Sequence, residues 1–162
     1  MTKKKYEQLV FSGFRENMDL PFIAKPQAYF RGAHQIPGAG INMGWQLFIK
    51  PILLETEPHT HKVDEYLIFL GNNPADWFSS FDAEIDLFLG EEMEKYVITK
   101  PTIVYIPPDM SHCPLDFRVI NQPVLFTALL QEPVFTKTMN GKEFTFKGPD
   151  AGGKISGDMF KR

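Results

Sequence analysis

The chain reads as an all-β domain, a sandwich or barrel built from many short strands. Three observations point there. Its 12 glycines and 13 prolines are spread along 162 residues and cut the chain into short segments. Apolar and β-branched runs recur between those breaks, with no long stretch at helical spacing. Hydrophobic residues make up 43% of the chain and 15 residues are Phe, enough to fill one core and leave aromatic surface for a pocket or an interface.

The elements follow in order. Residues 45–56 are rich in β-formers, with Pro51 marking an edge or a bend. Residues 64–70 form a short apolar run closed by Gly71-Asn72-Asn73. A short helix is expected next, since Asn73 can cap it, Pro74 suits its first turn and Asp76 suits the positive end of its dipole. Residues 83–89 place Ile85, Leu87 and Leu89 on one face with Glu84 and Asp86 opposite, and a turn at Gly90-Glu91-Glu92 follows. Strands are expected at 96–99, 102–106, 115–120 and 124–130. Residues 134–138 and 143–146 flank Asn140-Gly141, the strongest hairpin signal in the chain. The tail 148–157 is Gly-rich and is expected to be mobile or laid over the surface. These readings divide the chain into an N-terminal extension packing on the barrel (1–44), the barrel (45–138), and a C-terminal hairpin with a flexible tail (139–162). Trp45, Phe48, Tyr66, Phe69, Tyr105, Phe117 and Phe126 are read as mostly core.

Charge and cysteine usage narrow the function. The formal net charge is -3 with both signs interspersed, so the basic stripe that nucleic-acid binding needs is missing. Lys3-Lys4-Lys5 reads as a solvated end. The lone Cys113 cannot form an internal disulfide. No apolar run approaches the ~20 residues that span a membrane, and no apolar signal core follows the N-terminus. A cytoplasmic protein that binds neither nucleic acid nor membrane is expected.

Chemistry concentrates on the histidines, of which the chain has four. In His59-Thr60-His61 the two imidazoles lie two residues apart, so an extended backbone aims both to one side. A bend at Lys62-Val63-Asp64 can bring the Glu65 carboxylate back to the same spot. Two imidazoles and a carboxylate suit a borderline divalent metal: Fe, Mn, Ni, Cu or Zn. The turn at Pro107-Pro108-Asp109 ends a strand and then presents His112 as a fourth ligand. Alternation puts Cys113 on the opposite face. His34 lies in a loop without matched partner spacing and is read as a surface or supporting residue. Leu67 and Phe69 share the face of Glu65 and are expected to wall a pocket. Arg118 has the parity of His112 if the strand runs straight, and could hold a substrate carboxylate or phosphate there.

These residues resemble the cupin superfamily over residues 45–130. Its first motif places two histidines around one residue, then a glutamate, then a glycine, matched here by His59, His61, Glu65 and Gly71, with one residue fewer before the glycine. Its second motif is matched by Pro107 and His112, while Pro101, Asp109 and Asp116 stand where the family has two glycines and an asparagine. The stretch 72–100 between the motifs is longer than in the shortest members. The resemblance implies a double-stranded β-helix, or jelly-roll barrel, and a homodimer. It also implies a metal-dependent enzyme of oxygenase, isomerase or lyase type acting on a small organic molecule, with Glu65 free to act as a catalytic base in some of these chemistries. A non-catalytic small-ligand or metal-binding barrel is the alternative. The apolar neighbours Leu67 and Phe69 favour a largely apolar pocket.

Overall fold

Alternating burial organises the chain. The computed structural model describes residues 4–146. Among these, twelve strands follow one another: β1 (Arg15–Glu16), β2 (Gln27–Phe30), β3 (Asn42–Phe48), β4 (Ile52–Glu55), β5 (Glu65–Gly71), β6 (Ala83–Leu89), β7 (Glu94–Ile98), β8 (Thr102–Ile106), β9 (His112–Ile120), β10 (Val124–Leu130), β11 (Phe135–Met139) and β12 (Lys142–Phe146). Both β3 and β5 alternate buried and half-buried residues along their whole length, the period-2 signature of a strand with one face on a core.

Two antiparallel sheets enclose that core. The larger runs β1-β2-β3-β10-β5-β8 and the smaller β4-β9-β6-β7, while β11 and β12 form a separate hairpin. Pro51 lies in the bend between β3 and β4, where the chain leaves one sheet for the other, so residues 45–56 are two strands and not one. Strand β3 begins at Asn42, and β2 adds to its edge, so the N-terminal extension completes the large sheet. The hairpin turns at Asn140-Gly141, both at positive φ (50° and 71°), as a two-residue hairpin loop requires. The boundary drawn at 138/139 therefore passes through this hairpin, and the tail 148–157 lies outside the described residues.

Register fixes what lies where in the barrel. Phe48, Phe69, Phe117 and Phe126 plug one end, with Phe48 stacked on Phe117 at a centroid distance of 4.0 Å. Further along the same inward face come Gly44, Ala128 and Leu67 in one row, and then Asn42, Leu130 and Glu65 in the next. Small side chains in the middle row leave a space above it. Trp45, Tyr66 and Tyr105, expected in the core, sit instead on the outer face of the large sheet, because their parity is opposite to that of Phe48 and Phe69.

The helix expected after Asn73 is absent. Residues 74–80 form hydrogen-bonded turns. Asn73 Oδ1 accepts from the Ala75 N–H (2.9 Å), and Asp76 Oδ1 accepts from those of Phe78 (2.9 Å) and Ser79 (3.1 Å). Each polar side chain closes its own local turn, which competes with the helical ladder in a segment too short to repay nucleation. Gly71 anchors the segment, for its N–H donates to Trp77 O at 2.9 Å. No helix among the described residues is long and apolar enough to cross a membrane.

Candidate metal centre

Three histidines converge at the end of the barrel opposite the phenylalanine plug. The His59-Thr60-His61 segment is extended and clamped on both sides. His59 and His112 exchange backbone N–H···O bonds of 3.0 Å in each direction, and Thr60 does the same with Thr138 at 3.0 and 2.8 Å. The imidazoles of His59 and His61 consequently point inward together. His112 opens β9, directly after the turn in which the Asp109 N–H donates to His61 O at 2.8 Å. Asp109 itself adopts φ 64°, so it occupies the left-handed conformation in which the second motif ordinarily has glycine.

Each imidazole is locked by its Nδ1. The partner is a backbone carbonyl in every case: Glu57 O for His59 (3.3 Å), Thr136 O for His61 (2.5 Å) and Met110 O for His112 (3.1 Å). A carbonyl only accepts, so Nδ1 carries a proton in each ring; the neutral His59 and His61 therefore offer a lone pair at Nε2, and His112 does so once the Nε2 proton it shares with Glu65 leaves. One ligand atom from each ring lies within 4.8 Å of the others. Glu65 Oε2 is 2.9 Å from His112 Nε2 and 3.5 Å from His61 Nε2. All four side chains are almost fully buried, yet His61 Nε2 has no hydrogen-bond partner, although atoms of this kind are ordinarily satisfied. The three imidazole nitrogens and the carboxylate gather around one point, which is the arrangement a divalent cation fits.

Electrostatics agree with that geometry. Burial drives His59 down to about 2, with the charges of His112 and Lys137 adding to the effect. His61 is also lowered by burial, against the pull of Glu65. Both therefore stay neutral, the state in which imidazole is a ligand. Burial pushes His112 down as well, but the adjoining Glu65 carboxylate outweighs it and holds the imidazole above its usual range. Burial alone would raise Glu65, and His112 and His61 turn that into a net lowering. Glu65 is thus an anion beside its three imidazoles.

A cavity of about 110 Å³ opens over this cluster. Leu67 lines it, as expected. Phe69 does not, because it lies one layer deeper against Phe126, which forms the floor. Arg118 is not there either. Its side chain is on the outer surface, bound to Asp86 Oδ2 (3.0 Å) and Glu84 Oε2 (2.8 Å). The cause is a β-bulge: Leu87 pairs with Leu115 but Leu89 pairs with His112, so β9 carries an extra residue there and the parity beyond it is inverted. The bulge also turns Cys113, at φ 76°, into the cavity wall, where burial pushes its thiol far up. His34 is exposed and far from consequence for the site.

Several cavity residues carry no sequence motif. Asn42 and Gln46 come from the inward face of β3, Tyr29 and Arg31 from the chain that borders it, and Glu55 from β4. The lining is therefore apolar walls with two polar regions, not a uniformly apolar pocket. Behind the site, the buried Glu132 accepts from Thr136 N (2.6 Å) and Thr136 Oγ1 (2.7 Å), and so fixes the carbonyl that orients His61. Lys137, also buried, donates to Glu55 Oε2 at 3.0 Å.

No protein-family model matches the chain, and no curated protein matches it by sequence. Solved structures do resemble it. Peruvianin-I, a cysteine peptidase from Thevetia peruviana latex, superposes with a TM-score of 0.53 at 17% identity, over 85% of this chain and 80% of that one. An oxalate oxidase in complex with the substrate analogue glycolate also superposes with a TM-score of 0.53, at 15% identity, over 85% of this chain and 68% of that one. The chain has the cupin fold. Within that class it is a small single barrel carrying a three-histidine cluster suited to a metal ion.

Proposed function

We propose that the chain is a metal-dependent enzyme acting on a small organic molecule, with one divalent ion held by His59, His61, Glu65 and His112. The observation that supports this reading most directly is the set of three buried imidazoles whose Nδ1 atoms are tied to carbonyls and whose ligand atoms converge beside the buried Glu65 carboxylate. A site that only held the fold together would have no use for the cavity above it. A bound divalent metal supplies Lewis acidity to a substrate oxygen or lowers the pKa of a bound water.

The chain's own residues do the rest. The Nδ1 bonds fix ring orientation, so no reorganisation is needed when the ion enters. Leu54, Leu67, Leu115 and Phe126 exclude water from the cavity walls and strengthen each charge inside. Glu65 Oε2, 2.9 Å from His112 Nε2, is placed to take a proton from a ligand and return it. Oxygenase, isomerase and lyase chemistry all remain compatible with that placement. Peptidase chemistry at Cys113 is not, since its thiol is buried and far from ionisation at neutral pH.

Two copies are proposed to pair through the outer face of the large sheet. Tyr66, Ile68, Ile103, Tyr105, Leu125 and Leu129 all point outward there, with Ile103 67% and Tyr105 53% exposed. A four-strand face of roughly 20 by 24 Å with this composition is at the upper end of what monomers leave open.

Metal analysis tests the central reading. Wild-type protein and a His59→Ala/His61→Ala variant are purified without chelator or metal-affinity tag. About one ion per wild-type chain, lost in the variant, is the expected result. Wild type that neither holds nor takes up a metal on reconstitution would overturn it.

A further inference from the structure

Three donors gather at the end of the cavity away from Glu65. Asn42 is only 4% exposed and its Nδ2 has no hydrogen-bond partner. The Tyr29 hydroxyl accepts from Gln46 Nε2, which leaves its own proton to donate inward, and burial keeps that proton bound by raising its pKa. The Arg31 guanidinium lies 4.2 Å from the centroid of the Tyr29 ring and is steadied by Glu16 through two bonds of 3.0 and 2.7 Å. A buried amide donor left unmatched is costly unless a bound acceptor completes it.

Register supplies the distance. Asn42 pairs with Leu130, which pairs with Glu65, and all three side chains are buried. Asn42 and Glu65 are thus two strand spacings apart, about 10 Å. Leu130 lies between them, and Gly44 and Ala128 stand in the row beside it. A Cβ on Gly44 would stand 2.6 Å from the Tyr29 ring, so the glycine is what lets that ring lie over the sheet.

Charge points to the same kind of ligand. The charged residues lining the cavity are Arg31, Glu55 and Glu65, and the outer partners Glu16 and Lys137 cancel each other. With all three imidazoles neutral, as metal ligation requires, one cation and two anions sum to a single negative charge, and a divalent ion would bring the total to a single positive one. A monoanion balances it.

We propose that the cavity takes a short monocarboxylic acid bearing a second oxygen, its carboxylate against Asn42 and Tyr29 and its far oxygen towards the imidazole cluster. This rests on the metal-centre reading for the far end, while Asn42 and Tyr29 act on the near end alone.

Zinc-loaded protein, with its metal content measured in the same sample, is titrated calorimetrically with 4-hydroxybutyrate, 1,4-butanediol and succinate. Wild type is expected to bind the hydroxy acid at least about tenfold tighter than the neutral diol or the dianion. Asn42→Leu and Tyr29→Phe should each weaken the acid by about tenfold, leaving zinc content and diol binding unchanged. In the ligand-free protein, Asn42→Leu should raise Tm, because it removes an unsatisfied buried amide. A residue with a merely structural role would lower it. Protein that takes up no zinc overturns the metal-centre reading and this inference together. Zinc-loaded protein that binds acid and diol equally, or that keeps full affinity in both variants, overturns this inference alone.

Discussion

Replacing Glu132 with Ala should weaken metal binding at a centre that Glu132 does not touch. Its carboxylate accepts from both the N–H and the hydroxyl of Thr136, and Thr136 O receives the Nδ1–H of His61. Hydrogen bonds to a charged acceptor contribute about 1.5–3 kcal/mol each. Removing the carboxylate also relieves the cost of burying it, so a net destabilisation of roughly 2–4 kcal/mol is expected. For a domain of this length that corresponds to a Tm lowered by roughly 5–15 °C. Freed from its support, the Thr136 carbonyl no longer holds the His61 ring, and metal affinity should fall roughly 10–100-fold. Thr136→Val, which removes only the hydroxyl bond, should give about half the loss of stability. Competition with a chelating dye gives affinity, and melts with and without metal give stability. A variant that melts early yet binds metal as tightly as wild type would refute the claim that β11 orients His61.

Four further outcomes follow from the same structure. Below the folded pKa of His112, which Glu65 raises, metal affinity should fall about tenfold per pH unit, a slope of one proton, because His59 and His61 are already neutral; a slope of three protons in a pH series of dye competition would contradict this. Without metal, His59 and His61 bind fewer protons folded than unfolded, so their burial costs stability increasingly as pH drops below about 6.5; His112, with its pKa raised, contributes oppositely, stabilising below about 6.5 and losing that as pH rises through its folded value, so acid melts should show a net loss from two against one. Gly71→Ala should destabilise by about 1–3 kcal/mol in denaturant titration, since a Cβ there would meet Trp77 O at 2.6 Å, and backbone cannot swing aside. Ile103→Lys/Tyr105→Lys should convert a particle of twice 18.6 kDa into one of 18.6 kDa by light scattering; wild type at the single mass would refute the proposed pairing.

The gathering of His59, His61, Glu65 and His112 was legible because its physics is local. His59 and His61 are two apart on an extended segment, Glu65 follows one bend later, and His112 follows a turn rich in proline; each step needs only strand parity. Arg118 failed by the same rule, since parity holds only to the first bulge, and the extra residue between His112 and Leu115 is marked in the sequence only by Pro114, which a central strand tolerates at a bulge. The expected helix failed because Asn73 and Asp76 are as apt for isolated turns as for a helix start, and only the tie between Gly71 and Trp77 decides. Asn42 and Gln46 did leave a trace. Asn42, Gly44 and Gln46 alternate with Met43, Trp45 and Leu47, but the apolar set looks like the core face, whereas here the polar set is buried. Glu132 and Thr136 left none, because they act on His61 through a backbone carbonyl, which every residue possesses.

That inversion on β3 ties the barrel's inner and outer surfaces together. A strand with polar residues inward and apolar residues outward carries two costs: it buries the Asn42 amide without a partner and leaves Met43, Trp45 and Leu47 only half-buried. Both costs vanish only if something occupies each side, an acceptor-bearing ligand within and an apolar surface without. Phe14 already covers part of the outer side, with its ring 6.2 Å from that of Trp45. The strand that borders the candidate substrate end of the cavity therefore also carries a half-buried apolar outer face. The register of β3 against β10 is what keeps both assignments in place, because a one-residue slip would exchange the two faces at once.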